Sequence, residues 1–345
     1  MKKTILMILF SSVVTAFLSC DDDITSPQRE VAIEISERLL SGYFVTATAF
    51  DSKGTAWVGT FKQGLIKYDG GMTIYNSSNS SLPDNLVVLD IEVDHDDHVW
   101  IGSDVGLLKF DGSKFHLYNT SNSPLAVNVV WSVAVDQDNV LWLASCRFRQ
   151  GGLMKFDGKN WSLYTPDNSA LSTHCVRDVA VDSRNHIWLT LNETVGNGCL
   201  VRIAGDNWKI FDADEIGFAP YYFGDLVIDK NNKIYAALDY GLSSLHDMTR
   251  PNLIVYDGDK WTIQNPEDEN GESLGYVGKI ATDLYGNVWA SVHGREKVCL
   301  AVFNGQKWIY NQPEFPIDWV SELAVDRSND IWVGTGEGVY VIAQE

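Results

Sequence analysis

Apolar and polar residues trade places along this chain in short runs such as Leu89-Asp90-Ile91-Glu92-Val93, and Gly, Asn and Asp gather between the runs. A two-residue period over such a length is the pattern of a half-buried strand. With Val88 to Ser123 as a template, Leu89 to Val93 reads as an inner strand and Asp94-His95-Asp96-Asp97 as a turn. Val99 to Ser103 is then a second strand and Gly106 to Phe110 a third. Asp111-Gly112 between apolar runs predicts a hairpin turn of the primed type, with a fourth strand behind it.

The block recurs along the whole chain. An Asp is followed six residues later by an aromatic, in the frame Asp-x-x-(Gly/Asn/Asp)-x-apolar-(Trp/Tyr), at Asp51 to Trp57, Asp94 to Trp100, Asp136 to Trp142, Asp182 to Trp188, Asp229 to Tyr235, Asp283 to Trp289 and Asp326 to Trp332. Successive copies lie 42 to 54 residues apart, the length of one four-stranded blade. The fourth position is Gly54, Asp97, Asn139, Asn185, Asn232, Gly286 or Asn329. Only these residue types accept a left-handed backbone cheaply, so the position is a backbone requirement. The hairpin returns as Asp69-Gly70, Asp157-Gly158, Asp257-Gly258 and Asn304-Gly305, while Ala204-Gly205 departs. The prediction is an all-β, seven-bladed β-propeller of four-stranded antiparallel blades, its motif aromatics wedged between neighbours, forming one domain. The seventh repeat stops one strand short after Gly338 to Ile342. Glu30 to Ile35, which alternates ahead of the first repeat, is expected to supply the missing outer strand and close the ring.

The N-terminus changes the picture of where the ring resides. Lys2 and Lys3 precede an apolar run from Ile5 to Leu18, too short to span a bilayer and of the form of a secretory signal. Phe17-Leu18-Ser19-Cys20 followed by Asp21-Asp22-Asp23 resembles a bacterial lipoprotein signal, which implies lipidation of Cys20 and an outer-membrane anchor facing the periplasm or the cell surface. The acidic triplet resembles the surface-export signal of Bacteroidetes lipoproteins, whereas in enterobacteria a similar Asp implies inner-membrane retention. The expected layout is a signal peptide over 1–19, lipidated Cys and linker over 20–29, and the propeller over 30–345. Cys146, Cys175, Cys199 and Cys299 remain in an oxidising compartment and allow one disulfide, of which Cys146 with Cys175 is one pairing. No spacing suggests a zinc site, and no cofactor or metal is expected. His95 and His98 sit on a hairpin turn and read as turn chemistry.

A net charge of −20 argues against DNA, RNA and anionic lipid surfaces as partners. Membrane contact is expected through the lipid anchor only.

The runs Val99-Trp100-Ile101-Gly102-Ser103-Asp104-Val105-Gly106-Leu107-Leu108-Lys109-Phe110-Asp111-Gly112 and Trp57-Val58-Gly59-Thr60 with Gly64-Leu65-Ile66-Lys67-Tyr68-Asp69-Gly70 resemble two-component regulator propeller repeats. That resemblance implies the fold, and it implies kinship with the periplasmic regions of Bacteroidetes hybrid histidine kinases that detect glycans. No kinase or further transmembrane segment follows Glu345, so signalling is expected to need a partner.

Alternating strand direction puts the inner-strand starts and the loops between second and third strands on one face, opposite the Asp turns. The variable loops, Ser145 to Gly151, Leu191 to Gly198, Leu238 to Asn252 and Ser291 to Val298, lie on that face. They bring Arg147, Phe148, Arg149, Arg250, His293 and Arg295, and the strand starts add Trp131, His174, Arg177, Tyr221, Tyr222 and Trp319. Five of the ten arginines fall there, which suggests a carboxylate or sulfate ligand, and aromatics beside cations suit an acidic sugar. Asp90, Asp178, Asp225, Glu322 and Lys279 are expected to line the central channel, as a wet passage or as oxygens for a cation such as calcium.

The function expected is therefore a non-catalytic cell-envelope lipoprotein that binds or senses an anionic glycan, or another small anionic ligand, for a partner system. One alternative is a polysaccharide lyase acting on uronic acids, with Arg147, Arg149, Arg177 or Arg295 neutralising the carboxylate and His174, His293, Tyr221 or Tyr222 as base. Another is a platform for an envelope protein partner.

Overall fold

A computed structural model describes residues 31, 33–148, 150–192, 198–220, 222–239, 252–294, 298–311 and 319–344. Over these the chain forms seven four-stranded antiparallel sheets. Blade 2 is typical: Val88–Val93 innermost, then Val99–Ser103, Leu107–Phe110 and Phe115–Tyr118 outermost. The innermost strands neighbour one another in sequence order, and that of blade 1, Val45–Phe50, meets that of blade 7, Val320–Val325, so the ring closes.

The Asp of the repeat earns its place through geometry. In all seven turns one carboxylate oxygen accepts the backbone N–H groups two and four residues on, as Asp136 does from Asp138 and Val140. In six turns the other oxygen accepts the indole N–H of the motif Trp, at 2.8 to 3.3 Å. The Asp thus folds the turn and aims the ring. The ring enters the seam to the next blade: Trp57 packs with Ile91, Val99 and Phe110 of blade 2. Trp332 meets Phe50 and Tyr68 of blade 1, with centroids at 5.2 and 6.1 Å.

The left-handed turn position does a second job. Asp97, Asn139, Asn185, Asn232 and Asn329 have φ between 61° and 73°. Their side chains accept a backbone N–H from the preceding blade, at Ser52, His95, Gln137, Ser183 and Leu284, at 2.6 to 3.0 Å. Gly satisfies the backbone at Gly54 and Gly286 but leaves those two seams without this link. His98 belongs to the same chemistry, since it bonds Asp94 at 2.9 Å as His186 bonds Asp182 at 3.0 Å. Asp94, Asp96 and His98 bring potential metal-ligand atoms within 4.8 Å of one another, but Asp94 is already engaged by Trp100 and by two backbone N–H groups.

One expectation is corrected. An N-terminal strand does close the ring, but it is Glu37–Leu39, while residues 31 and 33–35 of the expected segment lie outside any strand and residues 30 and 32 lie outside the described residues; it pairs antiparallel with Gly338–Ile342 through Glu37↔Val341, Arg38↔Tyr340 and Leu39↔Val339. Arg38 anchors the register, bonding Glu337 at 3.0 Å and lying 5.2 Å from the Tyr340 ring centroid. The alternation upstream instead buries Ile33 against residues of blades 6 and 7, including Trp289 and Val320.

Candidate functional site at the channel mouth

Every innermost strand carries a β-bulge near its start. A bulge inserts one residue opposite an intact partner strand and re-aims its side chain without breaking the sheet. The inserted residues are Thr46, Leu89, Trp131, Arg177, Gly224, Gly278 and Ser321 in blades 1 to 7, and all but Gly278 line a central cavity of about 1110 Å³. They form a rim around the mouth of the channel on the loop face. The blade 3 to 4 side is filled by Trp131 and Arg177, whereas on the blade 5 to 6 side Gly224 bears no side chain and the space at Gly278 is taken by His293.

On the filled side, the Arg177 guanidinium lies 3.6 Å from the centroid of the Trp131 ring. The indole is fixed in turn, because Trp131 Nε1 donates to the Cys146 carbonyl at 2.8 Å. Cys146 is disulfide-bonded to Cys175, which ties the end of a blade 3 strand to the entrance of blade 4. Beyond the disulfide, Arg147 sits 5.5 Å from the Phe148 ring centroid, and Phe148, at φ 52°, is 88% exposed. These residues, with Val87, Leu89, Asp104 and Val129, wall a depression of about 590 Å³. Two guanidinium groups beside aromatic rings give this wall positive charge and apolar faces together.

On the other side, His293 stacks on Tyr276 with centroids 4.6 Å apart and an interplanar angle of 17°. Its other neighbour is Trp319 at 4.7 Å, half exposed. Gly278 makes room for the imidazole: a Cβ there would stand 2.6 Å from His293 Nε2. His293 is only 7% exposed, and burial pushes its pKa down to about 4, so the stack is uncharged at neutral pH.

The sequence-predicted residues thus separate. Trp131, Arg177, Arg147 and Phe148 come together on blades 3 and 4, and His293 and Trp319 on blades 6 and 7. His174 and Tyr222 are half-buried at the starts of blades 4 and 5. Cys20, Arg149, Tyr221, Arg250 and Arg295 lie outside the described residues. In the variable loop that starts at Leu191, Asn192 is structural, since its side chain bonds both the N–H and the carbonyl of Phe223. Tyr276 was missed, although it stands at the same strand-start position as Tyr222 and Trp319.

Beneath the rim, the channel acids face the passage but serve mainly as seam clamps. Asp90 accepts Val133 N–H of blade 3 at 2.7 Å, Asp178 accepts Leu226 N–H of blade 5 at 2.9 Å and Asp225 accepts Ile280 N–H of blade 6 at 2.9 Å. A cation is built in: Lys279 Nζ lies 3.2 Å from Asp225 and 3.6 Å from Glu322. Burial opposes its charge, but Asp225, Glu322 and Asp178 outweigh burial and raise its pKa. Burial lifts Asp90 to about 7, and Glu322 to about 8 despite its longer contact with Lys279. Glu92 stands apart, in a ring otherwise made of Ala49, Ala134, Ala180, Val227, Ala281 and Ala324. It has no hydrogen-bond or ion-pair partner among the described residues, and burial followed by repulsion from Asp90 lifts it to about 8.

No protein-family model and no curated protein sequence matches the chain. Solved structures do. The extracellular domain of the hybrid two component system BT3049 from B. thetaiotaomicron aligns with a TM-score of 0.67 at 18% identity, covering 89% of this chain and 40% of that one. PorZ, a bacterial surface component of the type-IX secretion system of Porphyromonas gingivalis, aligns with a TM-score of 0.60 at 17% identity over 87% of this chain and 46% of its own. A catalytically inactive virginiamycin B lyase from Staphylococcus aureus, solved with quinupristin, gives 0.68 at 11% identity over 92% and 100%. This chain therefore has the propeller fold of those sensor domains, as its repeats implied, and spans less than half the length of the sensor domain and of PorZ. Among the described residues no helix is long and apolar enough to cross a membrane.

Proposed function

We propose that this chain is a cell-envelope lipoprotein, anchored through Cys20, that binds or senses an anionic glycan on its loop face for a partner system. The observation that carries the reading is the Arg177 guanidinium laid 3.6 Å from the Trp131 ring centroid, in a depression shared with Arg147, in a protein of net charge −20. Cations gathered against the overall charge mark a place for an anion. The same fold in an extracellular domain of a two component system and in a bacterial surface component is consistent with display outside the cytoplasm and with a partner that carries the signal.

The test is electrophoresis of residues 21–345 through native gels cast with single anionic or neutral polysaccharides. Retardation by an acidic polymer, with the polymer left intact, is expected. Arg177→Ala should weaken that binding by roughly ten- to a hundred-fold, the range of a lost charged hydrogen bond. Migration unchanged in every polymer would transfer the face to a protein partner.

The lyase reading draws on the lyase fold match, but β-elimination needs a cation and a base on one sugar. The described arginines of this face stand on blades 3 and 4, with the base candidate His174 at the start of blade 4 and Tyr222 at the start of blade 5, whereas the neutral His293 stands on blade 6. A cleared zone carrying ultraviolet-absorbing unsaturated ends would establish it.

A further inference from the structure

The face opposite the loops carries an asymmetry of its own. In six of the seven Asp turns the two residues after the repeat Asp are polar or charged; in blade 6 they are Leu284 and Tyr285. Both lie open to solvent, at 59% and 49% exposure. The tip is braced from both sides: Leu284 N–H donates to Asn329 Oδ1 of blade 7 at 2.6 Å, and its carbonyl lies 3.5 Å from Lys230 Nζ of blade 5. Those two flanking turns present exposed Lys230 and Arg327, whereas exposed Asp96 and Asp138 occupy the turns of blades 2 and 3, across the ring. An apolar tip between two cations matches a bilayer interface, where Leu and Tyr settle at headgroup depth and Lys or Arg meets phosphate.

The first described residues lie beside this tip. Pairing of Glu37–Leu39 with Gly338–Ile342 is antiparallel, which sets the preceding residues toward the Asp-turn face. Ile33 is buried in a cluster with Trp289, whose indole bonds Asp283, the residue before Leu284. Ten residues, 21–30, separate Cys20 from Val31, a reach of about 35 Å at most. A strand of five or six residues is about 20 Å long, so such a tether lets either face meet a membrane, and the tip selects one. The net charge of −20 does not forbid the contact, because charges more than about 8 to 10 Å away are screened at physiological salt.

Resting on the Cys20 anchor proposed above, we propose that the Leu284–Tyr285 tip seats in the headgroup layer of the membrane that holds the anchor, with Lys230 and Arg327 on lipid phosphates. The loop face is thereby turned away from that membrane, toward its ligand.

The test uses the full chain as exported, reconstituted in vesicles of phosphatidylethanolamine and phosphatidylglycerol, with residues 21–345 in solution as reference. Hydroxyl-radical footprinting reads the exposed side chains. Expected is a fall of about five-fold or more in oxidation of Leu284 and Tyr285 on the vesicle, with Phe148 and Phe44 of the loop face unchanged. Leu284→Asn should return Tyr285 to within about two-fold of the soluble chain. Leu284 is exposed, so the variant should melt with the parent. Tyr285 still shielded in that variant would mean that crowding by the tether covers it, which overturns the seat. An acyl mass at Cys20 and flotation with the vesicle, but Tyr285 as reactive as in solution or Phe148 shielded instead, overturns the seat while the anchor stands. No acyl mass and no flotation overturns both.

Discussion

Blades 3 and 6 are cut from one repeat, with the same Asp-to-Trp bond, the same bulge and the same four-stranded sheet, yet they meet solvent with opposite chemistry. Blade 3 places Trp131 at its bulge and Arg177 of blade 4 settles on it; blade 6 places Gly278 there and His293 fills the space from the neighbouring strand. The repeat therefore specifies a frame, and the bulge residue specifies what the frame displays. A perturbation of the frame should injure both walls alike, and a perturbation at a bulge only its own.

The largest effect is expected from the frame. Deleting residues 33–39 removes the outer strand of blade 7 and unbuttons the ring, and melting should fall by roughly 10 °C or more, because it exposes an edge and several apolar residues at once. A melting temperature unchanged within error would mean that closure rests elsewhere. Next comes the blade 3 to 4 wall. Replacing Cys146 and Cys175 with Ser should cost about 3 kcal/mol in urea unfolding and lose its effect in reductant-treated protein. It should also weaken acidic-ligand binding, because Trp131 is held by the Cys146 carbonyl. On the blade 6 to 7 wall, Gly278→Ala drives a methyl toward His293 Nε2, a misfit of about 1 to 3 kcal/mol. Stern–Volmer quenching should then show Trp319 displaced, with the blade 3 to 4 wall intact; equal loss at both walls would dissolve the comparison.

The smallest effects are read by pH, at the blade 6 stack and in the channel. His293 has its pKa lowered from 6.5 to about 4, so the unfolded chain takes up the proton first. Its contribution to stability is complete above pH 6.5 and is lost as pH falls toward 4. The stability difference between His293→Phe and the parent should therefore stay constant above pH 6.5 and shift in favour of the variant below it. Glu92 runs the other way: raised from 4.5 to about 8, it favours the fold at low pH and loses that advantage as pH climbs to 8. Glu92→Gln should raise the melting temperature by a few degrees at pH 8 and by little at pH 4.5. Parallel pH profiles for the two variants would show that neither group feels the burial assigned to it.

The blades were legible because the Asp turn leaves a mark at every level: a fixed spacing to Trp, a left-handed residue and flanking alternation. The closing strand was misplaced because alternation marks any chain with one buried side, and Ile33 is buried without being in a strand, while Glu37–Leu39 is too short to show a period. Trp131, Arg177, Arg147 and Phe148 could be assigned to one face from strand direction alone. Their assembly could not, because it depends on a bulge, a backbone irregularity with no residue signature, and on a ring and a guanidinium 46 positions apart. The channel acids were placed correctly as lining, but their use as acceptors for the neighbouring blade depends on inter-strand geometry that one strand's sequence does not encode.

The bulge also bears on how such a protein changes its specificity. Since the inserted residues of blades 1 to 5 line the central cavity while their neighbours keep the ladder, those positions can be rewritten without touching the Asp turns. Trp131, Arg177, Gly224 and Gly278 spell one combination out of a large set that the same ring could carry. A duplicated gene needs few substitutions to explore that set. Transplanting Trp and Arg to positions 224 and 278, with His293 reduced to a small residue, would in these terms turn the arginine-and-indole wall around the ring while its scaffold stayed as it is.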